Sequence, residues 1–319
     1  MRILPPTAYF PTLTGLMHNA LRREAVYPFY ASFKITSRCH YGCAFCNVWK
    51  DKIPDLSTDD IKKILDNLSR SSVLMTSFEG GEPFLREDMG ELLRYARDCG
   101  FYLLFTTSAR RLLEYPLEEF APLIDFFHVS IDEGHNNLEM FDHLHELTKL
   151  PTQVSVQVVV TRDTVEALEN KVRSCYEAGA NSVVIPAAAM DNAEDCFPDM
   201  VSLEKKLLDL HRKYPATIHT PRGYFKAYKS RRCSSASVII APDGRLYYPC
   251  HIRGTKGPDL RTHDLTQWLG GDEAASLRRS MKQCTRNCGW YQYYAIGSYT
   301  SARTALKALW PMLVQRKKA

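Results

Sequence analysis

Short apolar runs and amphipathic stretches take turns through the first two-thirds of the chain. Ser32–Thr36, Val73–Phe78, Phe101–Thr106, Phe126–Ile131, Gln153–Val160 and Ser182–Pro186 have the length and the β-branched or apolar content of strands. Between them the apolar period lengthens. Ser57 to Ser69 predicts a helix, with Ile61, Ile64, Leu65 and Leu68 on one face and a capping-box-like start at Ser57 and Asp60. Asp88 to Cys99 predicts another, with Asp88 and Glu91 at its start and Gly100 just past its end. Further helices centre near Leu117, Met140 and Leu168, and one spans Ser202–Tyr214.

Six strands alternating with helices predict a parallel α/β fold, best drawn as a partial (β/α)6 TIM barrel. A run such as Val156-Gln157-Val158-Val159-Val160 suits a strand covered on both faces. In such folds chemistry gathers at the carboxyl ends of the strands, where Cys39, Gly80-Gly81 and Asp132 fall. After about residue 220 the alternation stops. A hairpin over Ser237–Tyr248 turns at Asp243-Gly244, and Cys233, Cys250, Cys284 and Cys288 surround it. The expected division is a helical lead-in over 1–26, the barrel over 27–220 and a small Cys-rich domain over 221–319.

Composition changes this picture little. The 319 residues are 45% apolar and 24% charged, as in an ordinary soluble protein. No apolar run is long enough to cross a bilayer, and the N-terminus lacks a signal-peptide core, so a cytoplasmic protein is expected. A net charge of +5 is too mild to call for nucleic acid. The stretch Ala305–Val314 followed by Arg316-Lys317-Lys318 has two readings: contact with an anionic membrane surface, or a packed helix with a solvated tail.

Cysteine changes it more. Ten cysteines in a leaderless chain of this size point to metal rather than disulfides. Cys99, Cys175 and Cys196 read as packing residues, and the other seven are patterned. Cys39, Cys43 and Cys46 offer three thiolates within eight residues. Structural zinc and electron-transfer clusters usually take four protein ligands, so three suggest an iron–sulfur cubane with one iron open to a substrate or cofactor. The alternative is a zinc or redox site that borrows a distant fourth cysteine.

Together with Gly80-Gly81-Glu82-Pro83 after the second strand, the triad resembles the radical S-adenosylmethionine (SAM) superfamily, and the likeness covers the whole α/β region. The resemblance implies a 4Fe-4S cluster on Cys39, Cys43 and Cys46 whose open iron binds SAM. It implies reductive cleavage of SAM to a 5′-deoxyadenosyl radical, with electrons from a flavodoxin- or ferredoxin-type donor. Backbone carbonyls of the turn Gly80, Gly81, Glu82 and Pro83 would receive the SAM ammonium. Thr107 and Ser108 stand where the family often has a Thr-Asn pair, and Ser108 departs from it. Ser130 and Asp132 are similar to ribose-contacting positions, although Asp132 equally suits a turn cap. Gln157 would touch the adenosine or serve as a satisfied core amide.

Cys233, Cys250, Cys284 and Cys288 resemble the SPASM/Twitch extensions of that superfamily, with four ligands for a second, auxiliary 4Fe-4S cluster of the shorter, Twitch type. Structural zinc is the alternative. His40 and His251 beside cysteines read as cluster-tuning or plain loop residues, and Tyr291, Tyr293 and Tyr294 as packing or cavity-lining residues.

The substrate is less legible. The short lead-in near Leu13 to Ala25, the run Cys284 to Trp290 and Lys307-Ala308-Leu309 resemble the adenosylhopane synthase branch, which modifies a membrane hydrocarbon. Met281 stands where that branch has a further cysteine. The expectation is therefore a lipid or isoprenoid substrate, attacked by radical addition or hydrogen abstraction, at the membrane periphery. A peptide or protein maturase is the alternative. From another class, the alternative is a non-enzymatic iron–sulfur carrier or zinc module.

Overall fold

The computed structural model describes residues 2–108, 111–189, 194–231, 233–234, 236–254 and 256–295. The stretch Ala305–Lys318, with its candidate membrane contact, lies outside the described residues. One sheet carries nine strands: β1 (Tyr30–Thr36), β2 (Met75–Gly80), β3 (Tyr102–Thr107), β4 (Phe126–Ser130), β5 (Gln153–Val160), β6 (Asn181–Pro186), β7 (Ser237–Ile240), β8 (Arg245–Tyr247) and β9 (Lys256–Asp259). Their spatial order is β6-β5-β4-β3-β2-β1-β7-β8-β9, and β1 to β6 pair in parallel. The six expected strands are present within two residues at each end, in the parallel α/β arrangement of a partial barrel.

Alternation along each strand separates two faces. Ala31, Phe33 and Ile35 of β1 join Phe78, Phe105, Val129 and Val156 in the core beneath the helices. Helix Thr58–Ser69 fills that core with Ile61, Ile64, Leu65 and Leu68, each fully buried and contributing about 1.5–3 kcal/mol. The inner face is polar. Register places Ser32 beside Ser77, Lys34 beside Glu79, Thr106 beside His128, His128 beside Ser155, and Ser130 beside Gln157.

The lead-in helix runs over Pro6–Arg22, earlier than the expected Leu13 to Ala25. Pro6 opens it at a position that needs no N–H, and Arg23 ends it in the left-handed region at φ 51°. The Asn19 carboxamide then accepts from the Val26 and Tyr27 amides (2.9 and 3.0 Å) and donates to the Tyr27 carbonyl (2.7 Å), steering the chain into β1. Phe10, Leu13, Met17 and Leu21 leave an exposed apolar stripe on this helix.

The larger difference lies past residue 220. The hairpin expected to stand in a separate unit continues the barrel sheet: β7 pairs with the free edge of β1 in parallel, Tyr30 opposite Ser237 through Phe33 opposite Ile240. Helix Gly223–Lys229 leads into it. The division at 220 thus rests on cysteine chemistry and stays a proposal, since the sheet's hydrogen bonding runs across it.

Candidate active site

The loop after β1 and the turn after β2 are fastened to one another by backbone. The Gly81 amide donates to the Thr36 carbonyl (2.9 Å) and the Glu82 amide to the Arg38 carbonyl (2.7 Å). Two glycines are required for this approach. Gly80 sits at φ +133°, and a Cβ on Gly81 would lie 1.9 Å from the Arg38 oxygen. Pro83 opens the short 3-10 turn that follows. Among the described residues the Gly81 carbonyl has no protein donor, which leaves an acceptor where the expected ammonium would sit.

Glu82 is wholly buried. Its carboxylate accepts from the Phe84 amide (3.1 Å), the Thr107 hydroxyl (2.9 Å) and the Ser108 amide (2.9 Å). Burial pushes its pKa up, and these donors oppose the rise. Thr107 and Ser108 therefore brace the turn from the end of β3, a role the sequence reading did not give them.

Cys43 is buried, and Cys39 and Cys46 are half-exposed. The Cys46 amide donates to the Cys43 carbonyl (3.1 Å), and so does the Trp49 indole (3.3 Å). Burial pushes the Cys39 thiol up to about 11, the Tyr41 amide opposes this, and Glu82, Cys43 and Cys46 add to it. The loop packs on the end of β4: the Tyr41 and Phe45 rings stand edge-on to His135 at 6.0 and 5.5 Å.

Asp132 takes its turn-cap reading. Its carboxylate accepts from the His135 amide (3.0 Å), the His135 ring (2.8 Å) and the Val159 amide (3.0 Å), tying β4 to β5. Burial disfavours the His135 imidazolium, but Asp132 and Cys43 outweigh it and hold the pKa near 10. Asn137, missed in the sequence, is fully buried and donates to the Ser130 carbonyl (2.7 Å) and the Ser108 carbonyl (3.3 Å). Ser130 and Gln157 share a hydrogen bond (3.4 Å) on the inner face, so both of these candidates open toward the barrel interior.

Lys34 and Glu79 were also missed. A charged residue inside an apolar strand was the available signal, as it was for Gln157. Burial raises the Glu79 pKa and the nearby Lys34 ammonium opposes that rise. Lys34 Nζ reaches His251 Nε2 at 3.5 Å.

The four later cysteines come together although 55 residues separate the first from the last. Cys233, Cys250, Cys284 and Cys288 line one hollow with Trp290 and Tyr293. Met281 is buried in its wall. Burial first, then neighbouring cysteines, pushes Cys233 to about 11 and Cys250 to about 12. Tyr293 holds the site together: its hydroxyl accepts from the His251 amide and its carbonyl from the Ser234 amide, each at 3.0 Å. Among the described residues no three His, Cys, Asp or Glu side chains converge tightly enough for a single metal ion. The donor set, four soft sulfurs around a hollow rather than a point, fits a multi-iron cluster.

Fold and site together define a class of enzyme, and comparison agrees. The family model described as the radical SAM superfamily matches residues 33–203, and the chain belongs to that superfamily. Membership brings a 4Fe-4S cluster and SAM, and sets aside the non-enzymatic alternatives. The chain is similar to the PqqA peptide cyclase of Bradyrhizobium diazoefficiens, 39% identical over 300 residues, covering 82% of this chain and 76% of the relative. It is similar to the PqqA peptide cyclase of Rhodopseudomonas palustris, 37% identical over 312 residues, covering 83% of this chain and 78% of the relative. Its fold matches Streptococcus suis SuiB bound to precursor peptide SuiA, with a TM-score of 0.68 at 16% identity over 90% of this chain and 75% of SuiB. The expected likeness to adenosylhopane synthase, and with it the lipid substrate, gives way to the peptide alternative. No helix among the described residues is long and apolar enough to cross a membrane.

Proposed function

We propose that this chain is a Twitch-type radical SAM peptide maturase, which abstracts a hydrogen atom from a residue of a peptide held inside the barrel. The polar inner face carries this reading. Seating a hydrocarbon against Lys34, Glu79, Ser32 and His128 would strip water from charged and polar groups without replacing its hydrogen bonds. A peptide's amides and polar side chains replace them. The named activity of two relatives that cover most of the chain points the same way.

When bound, the cluster and SAM supply the 5′-deoxyadenosyl radical. In this reading Cys39, Cys43 and Cys46 hold that cluster, and the Gly81 carbonyl receives the SAM ammonium. Glu82, pinned by Thr107 and Ser108, keeps the turn in place. Ser130 and Gln157 face the nucleoside, while Asp132 positions the loop that backs Cys43. Cys233, Cys250, Cys284 and Cys288 hold the auxiliary cluster beside the interior.

Anaerobically reconstituted protein with SAM and dithionite tests this, challenged in parallel with small peptides encoded beside it and with membrane lipid extracts. Peptide should accelerate 5′-deoxyadenosine release and change in mass. Stimulation by lipid alone would overturn the reading.

A further inference from the structure

The four cysteines sit in strongly one-sided electrostatic surroundings. No Asp or Glu lies between Asp209 and Asp243, between Asp243 and Asp259, or after Glu273, and all four cysteines fall within those stretches. Arg231, Arg253 and Arg286 line the hollow and are exposed at its rim. Two are fixed in place: Arg253 donates to the Ser280 carbonyl (2.7 Å) and Arg286 to the Ile252 carbonyl (3.2 Å). Cys233, Cys284 and Cys288 are half-buried and line the same hollow as these arginines. Glu24 pairs with Lys282 at 3.4 Å and Arg278 at 3.6 Å, neither of which lines the hollow.

The other cysteine site differs. Beside Cys39, Arg38 is bridged to Asp55 (2.6 Å), and Asp51 and Lys52 share the same hollow. Its charges are mixed.

We propose that the basic rim around the four-cysteine hollow is the docking face for an acidic one-electron carrier protein of flavodoxin or ferredoxin type. This rests on the reading of those cysteines as iron–sulfur ligands. The carrier is oxidised by one electron, and iron in the protein is reduced by one. Electron transfer weakens steeply with distance, so the carrier gains by seating over the hollow that the cysteines line. A positive rim attracts an acidic surface, speeds encounter and fixes its orientation. The exposed apolar stripe that would suit an interfacial membrane site lies on the lead-in helix, whereas the exposed residues named at this rim are arginines.

Binding of a purified acidic flavodoxin to the iron-loaded protein tests the face directly. Affinity should fall about tenfold as salt rises from about 50 to about 200 mM, because contacts between exposed charges are screened over that range. Arg253→Glu combined with Arg286→Glu should weaken low-salt binding about tenfold and flatten the salt dependence. Arg173→Glu, on the outer helix Leu168–Ala178, should change neither. A wild-type affinity indifferent to salt would overturn the proposal even if the double variant failed to fold. So would an unchanged affinity in a folded double variant. Vesicles of phosphatidylglycerol serve as the competing partner: binding to them and not to flavodoxin, lost in the double variant, would overturn it in favour of a membrane surface. Iron content of Cys250→Ala, measured separately, tests the cluster reading without touching the docking result.

Discussion

The two cysteine sites are built in opposite ways. Cys39, Cys43 and Cys46 come from one loop, and a second loop, Gly80–Pro83, closes on it through two backbone hydrogen bonds. The other site gathers Cys233, Cys250 and the pair Cys284 and Cys288 from three places, joined by Tyr293 and rimmed by arginines. The first is local, and among the described residues its Gly81 carbonyl has no protein donor. The second is assembled by the fold around a hollow. One set of cysteines is thus contiguous in the chain, and the other is brought together only by the fold.

Removing one ligand from each should separate them most sharply. Cys43→Ala should abolish SAM cleavage, whereas Cys250→Ala should retain uncoupled cleavage and lose product. Iron should fall by roughly half in each variant, since each cluster needs its own ligands. Equal loss of cleavage in both would erase the distinction.

Gly81→Ala probes the closure of the first site alone. The added Cβ must displace the Arg38 carbonyl, so the turn should separate from the cysteine loop at a cost of about 2–4 kcal/mol. SAM binding, followed by calorimetry, should weaken at least about thirtyfold, with the iron of the four-cysteine site intact. A variant that binds SAM normally would show that the contact is incidental.

The smallest effect concerns the metal-free protein. Unfolded thiols ionise near ~8.5, while folded Cys39 and Cys233 hold their protons to about 11 and Cys250 to about 12. Above the lower value the unfolded chain binds fewer protons than the folded one, so stability falls as pH rises. The Tm of iron-free protein should drop by a few degrees between about pH 8 and pH 10. Iron-loaded protein, whose thiolates are already committed, should drop less. A Tm that rises over this range would contradict the burial of these thiols.

The contrast also explains what was legible. A contiguous triad and a four-residue turn can be read from spacing, and each of the six parallel strands announced itself by its apolar run, whereas β9, Lys256–Asp259, has none and was missed. Glu82, Thr107 and Ser108 were marked as cofactor contacts, but their mutual bracing depends on how the ends of β2 and β3 meet, which spacing does not contain. Asn137 and His135 lie in a polar loop with no pattern of their own; His135 meets Asp132 within one turn, while only the neighbouring of β3 and β4 brings Asn137 to Ser108. Lys34 and Glu79 were visible as charges within strands, yet their adjacency follows from parallel pairing. The hairpin after residue 220 was recognised, while its attachment to β1 was not, because an edge-strand partner leaves no mark in either sequence.

That attachment has a practical consequence for anyone trimming or exchanging the C-terminal part. β1, which delivers the chain to Cys39, is an interior strand only because β7 covers one side of it. A truncation at residue 220 would leave a flat, apolar strand with a row of unsatisfied amides and carbonyls, a template for pairing with another chain. A graft from a relative must therefore bring a strand of matching register along with its cysteines, or the product will aggregate before its chemistry can be measured.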